Sequence, residues 1–123
     1  MNLKAILAAA ATVMIISIPG AVAQMQGMDM QKMMPQADDT ASTKDMKQAH
    51  MEMMKNMNLD FTGNPDVDFA RSMVKHHESA IVMAKIQLKH GKDPEIRQMA
   101  EKIIKDQQTE IAEFNSWLRN HTK

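Results

Sequence analysis

The chain is 123 residues long and formally neutral, with 15 basic and 15 acidic side chains, 15 methionines, no cysteine and no tyrosine. The missing cysteine excludes a disulfide scaffold and a thiolate metal site, and the even charge leaves no basic stripe for nucleic acid and no charged tail. The length suits one domain with a modest core.

Lys4 supplies a short positive region, and Ala5 to Ile18 is an almost unbroken apolar run. Pro19-Gly20 breaks it, and Ala21-Val22-Ala23 gives the small-x-small pattern of a cleavage site. Residues 1–23 therefore read as a secretory signal peptide cut after Ala23, which implies a periplasmic destination. The run is shorter than the roughly 18–20 apolar residues of a membrane span. Nothing after it is long or apolar enough to cross, so no membrane contact is expected after cleavage.

Residues 24–43 read as a flexible tail, polar and without a sustained apolar period, in which Met25, Met28, Met30, Met33 and Met34 are the regular feature. Ser42 or Thr43 is positioned to cap a first helix from about Lys44 to Asn58, with the stripe Met46, His50, Met53, Met57. Thr62-Gly63-Asn64-Pro65 then breaks the chain. Asn64 suits the N-cap of a second helix, Pro65 its first position, and Asp66 and Asp68 the positive end of its dipole. This helix runs to His90, with Gly91 ending it in the usual C′ manner and Ala70, Met73/Val74, His77, Ile81, Ala84 and Leu88 facing inward.

Asp93-Pro94-Glu95 caps a third helix almost at once, so the second and third helices form an antiparallel hairpin. The third reaches about Asn120, with Ile96, Ala100, Ile103, Gln107, Ile111, Phe114 and Leu118 facing in. No strand signal competes. Residues 44–123 are expected to form an all-α, antiparallel up-down bundle of three helices, with a fourth supplied by the tail or by a second subunit.

A thioether is soft, neutral and has no proton to lose, which favours Cu(I), while imidazole adds affinity for Cu(II). Thioethers also avoid disulfide chemistry in an oxidising compartment. Methionine is equally a flexible core filler, and packing is the better account of Met46, Met53 and Met57 taken as a stripe. His50-Met51-Glu52-Met53-Met54 differs, because its methionines cover more than one helix face. His50, Met53 and Met54, at i, i+3 and i+4, can converge on one ion.

The tail sulfurs of Met28, Met30, Met33 and Met34 are spaced to wrap an ion as the chain folds round it. His76 and His77 lie about 100° apart on the second helix, with His77 on the core stripe and His76 beside it, near Met73 and Met83 in sequence. His90 and His121 read as dipole partners or solvated helix ends. Glu110 lies near the core face of the third helix. Support of a ligand histidine and plain solvation are both open to it, and solvation is preferred. No Glu-x-x-His pair, catalytic triad, phosphate loop or H-E-x-x-H is present, so no enzymatic activity is expected.

One ordered series goes further. Asp66-x-Asp68-Phe69-Ala70, Met73-x-x-His76-His77-x-x-Ala80-Ile81-x-Met83-Ala84, Gly91-x-Asp93-Pro94-Glu95-Ile96-Arg97, Gln107-x-x-Glu110-Ile111 and Trp117-Leu118 follow one another in the chain. Together they resemble the domain-of-unknown-function 305 family over about residues 50–119. The resemblance implies a ferritin-like helical bundle and an exported protein. Its CopM-like members are periplasmic copper-binding proteins of copper resistance, with Met and His as ligands. By position it marks Met73, His76, His77 and Met83, and the segment from His50 to Met57 that includes Met51, Met53 and Met54.

The expected function is a non-enzymatic periplasmic copper binder for sequestration, trafficking or resistance. It would take Cu(I) chiefly through thioethers and Cu(II) through His50, His76 and His77, and pass the ion to a copper efflux or delivery protein. A homo-oligomer is compatible with the pattern. The competing reading is a helical interaction or oligomerisation module whose methionines form an adaptable surface. A third casts them as sacrificial oxidant sinks.

Overall fold

The computed structural model describes residues 30–122. They form four helices, α1 (Met30–Met33), α2 (Ala41–Asn56), α3 (Pro65–His90) and α4 (Pro94–His121), with no strand among the described residues. The expected all-α antiparallel helical bundle is what the chain forms. The signal segment 1–23 and the start of the tail, Met25 and Met28 included, lie outside the described residues.

Each long helix starts at a local cap. Asn64 Oδ1 accepts from the N–H groups of Asp66 (3.1 Å) and Val67 (3.3 Å), and Asp93 Oδ1 accepts from Ile96 N–H at 2.9 Å. These bonds satisfy donors that the first helical turn leaves orphaned. Both caps and both N1 prolines stand where the sequence puts them.

The start of α2 differs from expectation. Its N-cap is Thr40, in extended conformation, whose Oγ1 accepts from Thr43 N–H at 3.2 Å. Ser42 and Thr43 do not cap; their hydroxyls lie 3.0 and 2.9 Å from Thr40 Oγ1. With three hydroxyl residues so close together, the earliest takes the cap and α2 begins at Ala41 rather than Lys44. The stretch before it is fastened to α2, because both Asp39 carboxylate oxygens meet Lys47 Nζ (2.8 and 3.0 Å) and Ala37 carbonyl accepts from Lys44 Nζ at 3.2 Å.

The loop between α2 and α3 closes on Asp68, whose carboxylate accepts from Thr62 N–H (2.8 Å), Thr62 Oγ1 (2.7 Å) and Gly63 N–H (3.0 Å). Gly63 holds φ at 85°, a value that favours glycine.

Gly91 ends α3 without the left-handed conformation of a C′ glycine, since its φ is −75°. Its requirement is room. A Cβ there would sit 2.7 Å from the Gln87 carbonyl oxygen and 2.6 Å from Gln87 Cδ. The last carbonyls of α3 are met from the first turn of α4, where Arg97 Nη1 donates to Leu88 O (2.6 Å) and Gly91 O (2.9 Å).

α4 packs along α3 as the expected hairpin, and α2 packs on α3 as well, but no α2 Cα comes within 8 Å of an α4 Cα. α3 is therefore the middle layer, with its neighbours on separate faces. The core is built from Ala49, Val67, Ala70, Val74, Ile81, Ala84 and Ala100, and no large side chain among the described residues is wholly enclosed. Small residues let the helix axes approach closely.

Two expected inward residues of α4 are not inward: Ile96 is 45% exposed and Ile103 42%. α4 has a single neighbour, so only a narrow stripe is covered, with Ala100 buried and Ile104, Gln107, Ile111, Phe114 and Leu118 half-buried.

The fold generates two predictions. Gly91→Ala should destabilise the protein by about 1–3 kcal/mol, read from urea unfolding, because the new methyl meets backbone oxygen as well as a movable side chain. The second concerns acid. The Thr62 amide, opposed in part by burial and joined by the Thr62 hydroxyl, the Gly63 amide and the charge of Arg71, holds the Asp68 carboxyl below its ordinary 3.8. A lowered carboxyl stabilises the fold above the unfolded value and loses that contribution as pH falls through the folded value. Asp68→Asn should therefore lower the urea midpoint at neutral pH, and the gap from wild type should close as acid protonates Asp68.

Candidate metal centre

At 3.6 residues per turn α3 sends His77 and Met73, one turn apart, to the side covered by α4. Its Ile86, Gln87 and His90 line a groove with α2 residues. The sequence-predicted ligands divide along these lines.

Between α3 and α4 lies an open groove of about 810 Å³, lined by Met73, His77, Glu110 and Phe114 among others. His77 is 4% exposed. Its Nε2 lies 2.6 Å from Glu110 Oε2, and its ring stands edge-on to Phe114 at 5.8 Å between centroids. Phe114 in turn meets Phe69 edge-on at 5.9 Å. The preference for Glu110 as a solvated residue is thus overturned: half-exposed, it reaches in to hold the buried imidazole.

A carboxylate accepting from Nε2–H fixes the tautomer that leaves a lone pair on Nδ1. That Nδ1 is buried and has no hydrogen-bond partner among the described residues. A buried nitrogen without a partner costs about 1–3 kcal/mol, so the geometry is one that folding alone does not favour. It does match a metal-binding histidine, whose second nitrogen is usually held by a carboxylate or carbonyl. Gln107 Oε1, three residues before Glu110, is also buried without a partner.

His76 stands edge-on to His77, 6.0 Å between ring centroids at 62°, but it is exposed and does not line this groove. Met83 is half-buried and also outside the groove. Of the four residues marked on α3, Met73 and His77 line this groove, while His76, though edge-on to His77, and Met83 do not.

The segment from His50 to Met57 divides as well. His50 is half-buried in a groove between α2 and α3, with Met46 and His90 also in its lining. Met51 lines a separate shallow pocket with Pro35 and Gln48. Met53 is half-buried, while Met54 and Met57 are exposed. In the tail Met30 and Met34 are exposed and Met33 half-buried.

His90 stands in the last turn of α3, where a dipole partner belongs, but it is not a solvated end: it is half-buried and paired with Asp45 at 2.7 Å across 45 positions of sequence. His121 stacks on Trp117 at 4.2 Å and bonds its carbonyl at 2.8 Å, in keeping with a helix-end role. Among the described residues no three His, Cys, Asp or Glu side chains gather as an ion-binding group. A site there needs thioether sulfur to complete it.

An all-α bundle with methionine- and histidine-lined grooves on both sides of its middle helix is the class of protein these observations define. Residues 7–118 match the family described as "Domain of unknown function (DUF305)", and the chain belongs to it. The chain is also similar to an uncharacterized protein of Acanthamoeba polyphaga mimivirus, at 45% identity over 53 residues, which is 43% of this chain and 35% of that protein. The match thus spans about a third of that relative's length.

If the unpartnered Nδ1 is a cost to the fold, its removal should not hurt. His77→Phe, against Phe114 and Phe69, is expected to leave stability unchanged or raise it by up to about 2 kcal/mol, measured by urea unfolding. A loss beyond about 2 kcal/mol would mean that the imidazole is a structural necessity.

Proposed function

We propose that this chain is a non-enzymatic, CopM-like copper-binding protein of the periplasm, reached through a signal peptide at residues 1–23. It holds Cu(I) chiefly through thioethers and Cu(II) through imidazoles, for sequestration, trafficking or resistance. The observation that carries the reading is His77. Its Nε2 is fastened to Glu110, its Nδ1 is buried without a partner, and Met73 lines the same groove one turn away.

A soft cation is what such a donor set suits. A Zn or Mg site would need further imidazole, thiolate or carboxylate ligands, and no such group of three forms among the described residues. The flanking methionines extend the capacity: Met30, Met33 and Met34 precede α2, and Met51, Met53, Met54 and Met57 cover several of its faces. Because these sulfurs are neutral and many are exposed, an ion can be passed ligand by ligand to an efflux or delivery protein. Among the described residues no helix is long and apolar enough to cross a membrane.

A helical interaction or oligomerisation module is the second reading. It is favoured by the uncovered stripe Ile96, Met99 and Ile103 on α4.

The purified protein is titrated with Cu(I) against a chromogenic chelator, with Zn(II) alongside. Saturable Cu(I) competition at low micromolar affinity or tighter, with little Zn(II) uptake, is expected. Glu110→Gln should weaken the tightest site about 10–100-fold, and Met73→Leu with His77→Phe should abolish it. No competition by the wild type would sink the copper reading and leave the interaction module.

A further inference from the structure

We propose a second copper site, separate from the His77 groove, made by Met46, His50 and His90 with Asp45 as its positioning carboxylate. It rests on the copper-binding reading given above and assigns it to residues on the other side of α3.

Met46 and His50 stand four apart on α2 and so share a face. The antiparallel register of α2 on α3 brings His90, from the last turn of α3, to that face. All three line one groove of about 470 Å³. Two imidazoles and a thioether form a neutral N2S donor set, suited to three-coordinate Cu(I) and tolerant of Cu(II).

The second-nitrogen arrangement at His77 recurs here. Asp45 Oδ2 lies 2.7 Å from His90 Nε2 and 2.7 Å from Lys89 Nζ. With the Asp45 carboxylate as acceptor of the Nε2 proton, the lone pair of His90 is left on Nδ1 for a metal. Lys47, the one cationic side chain lining the groove, is tied to both oxygens of Asp39 at 2.8 and 3.0 Å, which offsets its charge. A mere tether between helix ends would be complete with Asp45, Lys89 and His90; it requires neither Met46 nor His50 in the same groove. His90 lies 13 residues beyond His77, about 20 Å along the helix axis, so one ion does not occupy both places.

The full chain is titrated with Cu(I) for capacity and affinity, and with Ag(I) while histidine ring resonances are followed by NMR. His50→Gln with His90→Gln should remove one copper equivalent, while His77→Phe removes a different one. Asp45→Asn should weaken the second site about 10-fold or more and shift the His90 tautomer equilibrium, read from its ring 15N shifts. In the wild type, Ag(I) should move the His50 and His90 resonances together. A wild type that binds no copper overturns this site along with the function it rests on. A wild type that binds copper while the double variant keeps full capacity and affinity overturns this site alone. Should the double variant fail to fold, His50 and His90 resonances that stay still under saturating Ag(I) overturn it equally.

Discussion

Everything in this structure depends on α3 being covered from two sides by helices that never meet. In a triangular three-helix bundle each helix buries a broad stripe against two neighbours, and the core lies along the common axis. Here α2 and α4 both pack on α3 and stay apart, so each buries only a narrow strip. That is why the enclosed apolar residues are mostly alanine and valine, why Ile96 and Ile103 stay in solvent, and why open grooves run along both helix–helix seams. A fully enclosed core would offer no such grooves. The thin core and the candidate sites have one cause.

The seams are also where polar groups accumulate against the usual rule for interiors. A buried polar group is tolerated when it is fully bonded, and His77 is bonded at one nitrogen only. Phe114 and Phe69 line the groove beside it, and the orphaned nitrogen is closed off from solvent. Arg97 shows the opposite case. Its guanidinium reaches two carbonyls at the end of α3, and so fixes how α4 enters against α3. The guanidinium of Arg97 is satisfied within the fold; the Nδ1 of His77 is not, and that difference motivates the functional reading.

How much of this was legible in the sequence follows from range. The caps at Asn64 and Asp93, the prolines after them and the hairpin turn are local, and the sequence states them outright. The inward stripe of α3 followed from its period, and the separation of His76 from His77 from the 100° step between them. Competition among near-equals was not legible, since Thr40, Ser42 and Thr43 are all competent caps and only the tertiary setting chooses. Nor was the conformation of Gly91, whose need for glycine is the closeness of Gln87 rather than a left-handed turn. Pairings across the fold were least legible. Glu110 with His77, 33 positions apart, and Asp45 with His90, 45 apart, carry no local pattern. A period places α3 in the middle only once it is seen that both of its faces are used.

The two-sided arrangement has a consequence for how ions would be held. Sites in the two seams share α3 but face away from each other, and neither seam contributes residues to the other. Coupling between distant sites needs an element with two discrete arrangements that both sites bias. α3 is a single continuous helix of 26 residues with caps satisfied at its start and its last carbonyls held by Arg97, and no positive-φ residue interrupts it. Such a helix transmits little. If both proposed sites take copper, binding at His77 should therefore leave the affinity at His90 nearly unchanged, so occupancy would rise in independent steps rather than together. Independent filling would suit a buffer, which must respond over a range of free ion; a switch would instead require cooperative filling.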